Sequence, residues 1–348
     1  MSRRTIIIVI VASIVILAVA LVSFIVLGER LFKQIVGTTT TTKVQAQART
    51  LCPLTGQQLS FSKERPPFAV CIDNIRQARP QSGLNRADIV YEVLTEAGIP
   101  RLLAIYKCKD ARHIGPVRSA RTYFIDLAKQ FDAVLIHAGG SPQALREIKQ
   151  GKIRSLDQFR FPDAYFRDPT RRAPHNLFTN TSRLAKAADD AGFSGPSDTQ
   201  GLAFGKVKIE GGNAQTITIS FPTTRVTYRY DPSTDTYFRF MNGQPHVDAA
   251  AGRQLQAKNV IVQFAEHRVI DRVGRLDIKL TGEGRAIFFI GGKRVGGRWV
   301  RQSEMQTFKY EDSMGNEFKL RPGQTWVEIV SEDVRIYILD GHLKILVI

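Results

Sequence analysis

Hydrophobic positions follow three regimes along the chain. From Thr5 to Leu27 they run without a charged residue, broken only by Ser13 and Ser23. At about 1.5 Å per residue this run reaches roughly 34 Å, which predicts a single transmembrane helix at about 5–27 within an anchor segment 1–36. The run is longer than the usual apolar core of a cleaved signal peptide, and no cysteine at its end offers a lipidation site. Gly37 to Thr50 has no apolar periodicity and holds five consecutive threonines, Thr38–Thr42, so 37–50 reads as a tether. From about Leu51 the pattern breaks into short runs. Phe68–Ile72, Ala87–Leu94, Arg101–Cys108 and Ala133–His137 read as strands. Phe124, Leu127, Ala128 and Phe131 recur at helical spacing within Ala120–Phe131. Ser141-Pro142 opens a second helix, and Thr181 or Ser182 caps a third over Leu184–Ala191.

Beyond about 198 the helical periodicity disappears. Ala214–Ser220, Arg225–Tyr230, Thr236–Phe240, Asn259–Phe264, Leu276–Leu280, Ala286–Ile290 and Lys293–Val300 are β-favouring runs. Trp326–Val330, Val334–Leu339 and His342–Ile348 close the chain. Asn242-Gly243, Gly291-Gly292 and Asp340-Gly341 supply hairpin-type turns. The expected fold is α+β: an α/β sandwich module over 51–197, then a mostly antiparallel β module over 198–348, after the transmembrane helix.

Charge adds a direction. The 348 residues carry 49 Lys+Arg against 32 Asp+Glu, a net +17. Residues 43–197 alone hold 24 basic and 14 acidic side chains. Such a surface attracts polyanions. Arg3 and Arg4 before the apolar run place the N-terminus in the cytoplasm and the folded part outside it. That topology disfavours nucleic acid and points to envelope polyanions. Cys52, Cys71 and Cys108 allow at most one internal disulfide and are too few for a four-cysteine zinc site. Cys71 and Cys108 lie in apolar runs and read as buried free thiols.

Candidate chemistry gathers in two segments. Ile114-Gly-Pro-Val-Arg-Ser-Ala-Arg121 leads into the first helix, so Arg118 and Arg121 with Ser119 read as an anion site at its start. Phe166 to Asn176 holds Arg167, Asp168, Arg171, Arg172 and His175 around Pro169 and Pro174, a proline-held loop suited to binding. Polar groups also sit in or at the ends of apolar strands: Asp73, Asn74, Asp88, Glu92 and His137. Among these, Asp73 and Asp88 are the candidate metal ligands. Trp299 and Trp326 read as core aromatics. No HExxH, GxSxG, P-loop or dinucleotide fingerprint is present, so neither a catalytic residue nor a cofactor is assigned and an enzymatic role stays open.

Several segments together resemble the YerB-like family of bacterial membrane-tethered proteins and lipoproteins. They are Cys52-Pro-Leu-Thr-Gly56, Arg65-Pro-Pro-Phe-Ala-Val70 with Asp73-Asn74, Ala78-Arg-Pro-Gln-Ser-Gly-Leu84, Ala87-Asp-Ile-Val-Tyr-Glu92, Ile114–Arg121, Ala173-Pro-His-Asn176, Gly291–Trp299 and Pro322-Gly-Gln-Thr-Trp326. The resemblance implies two modules of unknown function in the cell envelope and carries no catalytic residues. A looser pattern runs from the strand with Asp88, through Val117-Arg118, to Gly139-Gly140. It looks like the LytR-CpsA-Psr glycan ligases, which hold a lipid-linked pyrophosphate with arginines and a magnesium-binding acid. That likeness would place Arg118, Arg121, Arg171 and Arg172 on pyrophosphate and Asp73 or Asp88 on Mg²⁺.

The resulting expectation is a membrane-anchored extracytoplasmic protein that binds an anionic ligand through its basic first module. An envelope polymer, a lipid pyrophosphate and an envelope-synthesis protein are the candidate partners. A metal-assisted phosphoryl or glycosyl transferase is the alternative.

Overall fold

The computed structural model describes residues 20–28, 51–59, 65–195, 197, 199–205 and 209–340, and the backbone of 343–347. Two corrections concern the fold class. Among the described residues no helix is long and apolar enough to cross a membrane. Residues 20–28, at the end of the expected run, are helical. The rest of the run expected at 5–27, and the whole tether at 37–50, lie outside the described residues.

The second correction is that Thr50–Ile348, one compact unit, is mostly β and its first part is not a separate α/β sandwich. Strands of the first region are β1 (Phe68–Ile72), β2 (Ile89–Leu94), β3 (Pro100–Tyr106), β4 (Val134–His137) and β5 (Ser155–Asp157). Those of the second begin with β6 (Thr216–Ser220), β7 (Arg225–Asp231), β8 (Thr236–Met241) and β9 (Asn259–Phe264). They continue with β10 (Gly282–Ile290), β11 (Lys293–Arg301), β12 (Lys309–Asp312), β13 (Thr325–Val330), β14 (Arg335–Asp340) and β15 (Leu343–Val347). One large sheet runs β12-β11-β10-β9-β13-β2-β3-β1-β4-β5. It joins both regions because β2 and β13, each buried on both faces, pair in parallel from Ile89 opposite Thr325 to Val93 opposite Ile329. A second, antiparallel sheet contains β8-β7-β6-β14-β15.

The helices are short: α1 (Thr122–Lys129), α2 (Pro142–Lys149) and α3 (Thr181–Asp190). Ser141 caps α2 by accepting from Ala144 N–H at 3.3 Å, with Pro142 in its first turn. The cap of α3 is Asn180, one residue before the two candidates. One face of the large sheet packs Ala69, Cys71, Tyr91 and Trp299 against Tyr123, Phe124 and Leu127 of α1 and Ala144 of α2. The other packs Val70, Val90 and Trp326 against Ile217, Val226 and Ile336 of the second sheet and Leu184 of α3. Both tryptophans are buried, as core aromatics should be.

The cysteines differ from expectation at one position. Cys108 is bonded to Cys52, and Cys71 alone is free and buried. Cys108 lies just past the end of β3, where the chain turns back over the N-terminal segment that carries Cys52.

Candidate functional site

β1 lies between β3 and β4, and the chain reaches β4 from β3 by crossing through α1. A sheet whose connections diverge in this way opens a crevice at the carboxyl ends of its parallel strands. The segment after Gly115 fills that crevice. Arg118 N–H donates to the Cys71 carbonyl at 2.8 Å, and Ala138 N–H donates to the Arg118 carbonyl at 3.1 Å. Ala120 N–H reaches the Gly139 carbonyl at 3.0 Å, and Ser141 N–H the Ala120 carbonyl at 3.1 Å. The Arg118 backbone is thus pinned to the ends of both β1 and β4, while its side chain stays 30% exposed.

This corrects the premise that the arginines occupy a helix's first turn. α1 starts at Thr122, and Arg121 is its N-cap in extended conformation. The Arg121 side chain grips Glu96 at 2.6 and 2.8 Å, a bidentate pair that holds the Glu96 carboxyl below its usual range. Arg121 therefore already has its anion within the chain. Ser119 is half-buried, and its carbonyl accepts from Arg101 at 3.3 Å.

Asp73 follows directly on β1 and is almost wholly buried. Its Oδ2 lies 3.0 Å from Arg118 Nε and 2.8 Å from His175 Nδ1. Facing a carboxylate, Nδ1 carries the hydrogen and donates it, which leaves Nε2 for a ligand or a proton. His175 arrives on the loop between the paired strands Phe166–Arg167 and Leu177–Phe178. Asp168 shapes that loop by accepting from Thr170 Oγ1 at 2.6 Å and Thr170 N–H at 2.9 Å, bonds that hold its carboxyl below the usual range. Arg171 ties the loop to the chain after β1, donating to the Ala78 and Pro80 carbonyls at 3.1 and 2.5 Å. Arg172 is exposed and has no ion pair among the described residues. Cis peptide bonds precede Pro80, Pro116 and Pro174, one in each of the three segments that converge here.

Behind Asp73 lies a buried polar brace to the second sheet. Asn74 Nδ2 donates to Glu92 Oε1 at 2.9 Å, and Gln81 Nε2 donates to Asn74 Oδ1 at 2.8 Å and to the Asp73 carbonyl at 3.0 Å. Arg239 of β8 pairs with Glu92, its guanidinium 4.4 Å from the Trp326 ring centre. Glu328 stands opposite Glu92 in the parallel register of β13 and β2. Burial first, then the neighbouring Glu92, raise the Glu328 carboxyl well above the usual range, so it holds its proton. Tyr228 donates to it at 2.5 Å. His246, held neutral by burial, donates from Nε2 to Gln81 Oε1 at 2.8 Å. Sequence reasoning missed Arg239, Glu328, Glu96, Arg101, Gln81 and His246. Arg239 did carry a signal: alternation in β8 sets it on the buried face with Tyr237 and Met241.

Two other candidates stay apart. The register sets Ile72 opposite Leu102 and Leu102 opposite Glu92, which makes Asp73 level with Val93. Asp88 lies five positions back along β2, roughly 16 Å away at about 3.3 Å per residue, too far to share a cation with Asp73. Asp88 instead accepts the Lys107 and Cys108 N–H groups at 2.7 and 2.8 Å, and burial raises its carboxyl. Cys52, Cys108 and Asp88 come within 4.8 Å of one another. The two sulfurs are bonded to each other, so this group holds no metal. His137 ends β4, donates from Nδ1 to the Gly139 carbonyl at 2.8 Å, and is held neutral by burial.

Comparison with known proteins agrees with this architecture. Residues 54–194 match the family described as "Protein of unknown function (DUF3048) N-terminal domain", and residues 217–327 match its C-terminal domain. The protein named "Putative lipoprotein YerB" of Bacillus subtilis (strain 168) is 33% identical over 287 residues, 80% of this chain and 86% of that protein. The crystal structure of YerB protein from Bacillus subtilis superposes with a TM-score of 0.75 at 30% identity, covering 82% of this chain and 99% of the other. The chain carries both DUF3048 domains and belongs to the YerB-like family.

Proposed function

We propose that this chain is an extracytoplasmic cell-envelope protein that binds a phosphate- or carboxylate-bearing envelope ligand at Arg118 and His175. One observation carries the reading. A single buried carboxylate oxygen, Asp73 Oδ2, pairs with both a partly exposed guanidinium and a partly exposed imidazole. Donors held in this way meet an anion with little further ordering. The Cys52–Cys108 disulfide supports an oxidising compartment. The relative named as a lipoprotein supports attachment at the membrane surface.

The test is titration of residues 51–348 with inorganic pyrophosphate and with an anionic wall polymer at low and high salt. Arg118→Ala should weaken binding about tenfold or more, the scale of one charge-assisted contact. Arg121→Ala should leave it unchanged, because Arg121 is already occupied by Glu96. Equal binding by the parent and Arg118→Ala would remove the site.

The transferase alternative is favoured by a separate feature of the same cluster. A histidine whose Nδ1 is held by a buried aspartate presents Nε2 as a general base. On that reading Asp73 orients His175, Asp88 has no part, and lipid-linked pyrophosphate is consumed. Absence of product after prolonged incubation with Mg²⁺ and an acceptor glycan would leave binding alone.

A further inference from the structure

The strands His267–Val269 and Leu276–Ile278 form a hairpin that pairs with neither large sheet. Its tip is held rigid from within. Ile270 N–H donates to the Arg275 carbonyl at 2.8 Å, and Asp271 Oδ1 accepts the Val273 and Arg275 N–H groups at 2.9 and 3.1 Å. On this fixed turn Val269, Ile270 and Val273 are 63%, 42% and 64% exposed. Single exposed aliphatics need no explanation, but three on one protruding turn mark a contact surface.

The charges around them narrow the partner. Both acids of the hairpin are already matched, Asp271 by Arg275 at 2.7 Å and Asp277 by Arg268 at 2.8 Å. Arg272, exposed between Asp271 and Val273, has no ion pair among the described residues. The tip therefore offers aliphatic side chains beside an unmatched cation and no unmatched anion. A surface that supplies an apolar layer directly beneath a layer of negative charge complements both.

We propose that this tip docks on an anionic lipid surface, with Val269, Ile270 and Val273 at the boundary of headgroups and acyl chains and Arg272 on lipid phosphate. The long arginine stem reaches the phosphate layer while its neighbours sit deeper. This contact is independent of the Arg118 site.

Flotation of residues 51–348 with vesicles of phosphatidylglycerol and phosphatidylcholine tests it. That unit holds both apolar cores and the disulfide, so it keeps its fold without the preceding residues. The parent should float with the mixed vesicles at low salt and not with pure phosphatidylcholine. The combined variant V269S/I270S/V273S should lower partitioning about tenfold or more. Arg272→Gln should lower it only on the anionic vesicles, and Arg118→Ala should leave it unchanged. All substituted tip positions are exposed, and an unaltered thermal midpoint confirms folding. No flotation by the parent, undiminished flotation by the triple variant, or loss through Arg118→Ala would overturn the proposal. Vesicle-free capture of a protein by the same tip, without lipid binding, would also overturn it.

Discussion

His175 and Asp73 stand 102 positions apart in sequence and meet at 2.8 Å between Nδ1 and Oδ2. Asp73 is the hub of this contact, since its Oδ2 also faces Arg118. Removing the hub should therefore hurt more than removing a spoke. Asp73→Ala strips a buried carboxylate from two partners and should cost about 3 kcal/mol. His175→Ala removes one hydrogen bond from a partly exposed ring and should cost about 1 kcal/mol. Urea unfolding of both variants checks the order, and a larger loss for His175→Ala would refute it.

Arg121 and Glu96 form a structural clamp between the start of α1 and the turn before β3. Both groups are partly solvated, so the pair is worth less than its bidentate geometry suggests. A double-mutant cycle with Arg121→Ala and Glu96→Ala should return a coupling of about 1 kcal/mol that shrinks at high salt. Pyrophosphate titration of the same variants should give the parent's affinity. A loss specific to Arg121→Ala would place this arginine in the binding site after all.

Arg239 and Glu92 join the two sheets with no solvent access. Arg239→Met leaves the Glu92 charge buried without its partner and should cost about 3–5 kcal/mol. Adding Glu92→Gln should return part of that loss, because the second change removes the unmatched charge. Equilibrium unfolding of the two single variants and the double variant decides this. Additive losses would show that the two residues act independently.

The individual strands are visible in the sequence where apolar side chains fill both faces, as in Phe68–Ile72, Asn259–Phe264 and Thr325–Val330. Ser155–Asp157 and Lys309–Asp312 escape notice because three or four residues, most of them polar, carry no periodicity. The merging of two modules into one sheet is also hidden. It depends on β2 pairing with β13, and an apolar run does not name its neighbour. The same holds at the site. Asp73, Arg118 and His175 each stand out as polar groups at strand ends or in a proline-held loop, yet only the fold shows that they share one oxygen. Arg121, from the same motif as Arg118, separates from it because Glu96 lies within reach.

The three cysteines should react in a fixed order. Burial pushes the Cys71 thiol up to about 12, so almost no thiolate exists at neutral pH. Native protein should take up no iodoacetamide, and unfolded but unreduced protein should take up one equivalent, at Cys71. Mass spectrometry reads both. The Cys52–Cys108 bond closes a loop of 56 positions, for which the chain-entropy model gives about 4 kcal/mol. The Cys52→Ala/Cys108→Ala variant should lose stability on that scale, and a loss under about 1 kcal/mol would refute it.

Asp126 on α1 gives the protein a pH response. Burial, then the nearby Glu304, raise its carboxyl from 3.8 to about 6 despite Lys129 at 3.8 Å. The native state therefore holds this proton more tightly than the unfolded chain does. Its contribution to stability is complete below pH 3.8 and is lost as pH rises through about 6. Two units correspond to about 3 kcal/mol, and the partial exposure of the group lowers the expectation to about 1–2 kcal/mol. Asp126→Asn, neutral at every pH, should match the parent in acid and exceed its stability by that amount at pH 7. Thermal unfolding across the window from pH 3.5 to 7.5 measures the difference. A gap that narrows with rising pH would mean that the Lys129 attraction outweighs burial at Asp126.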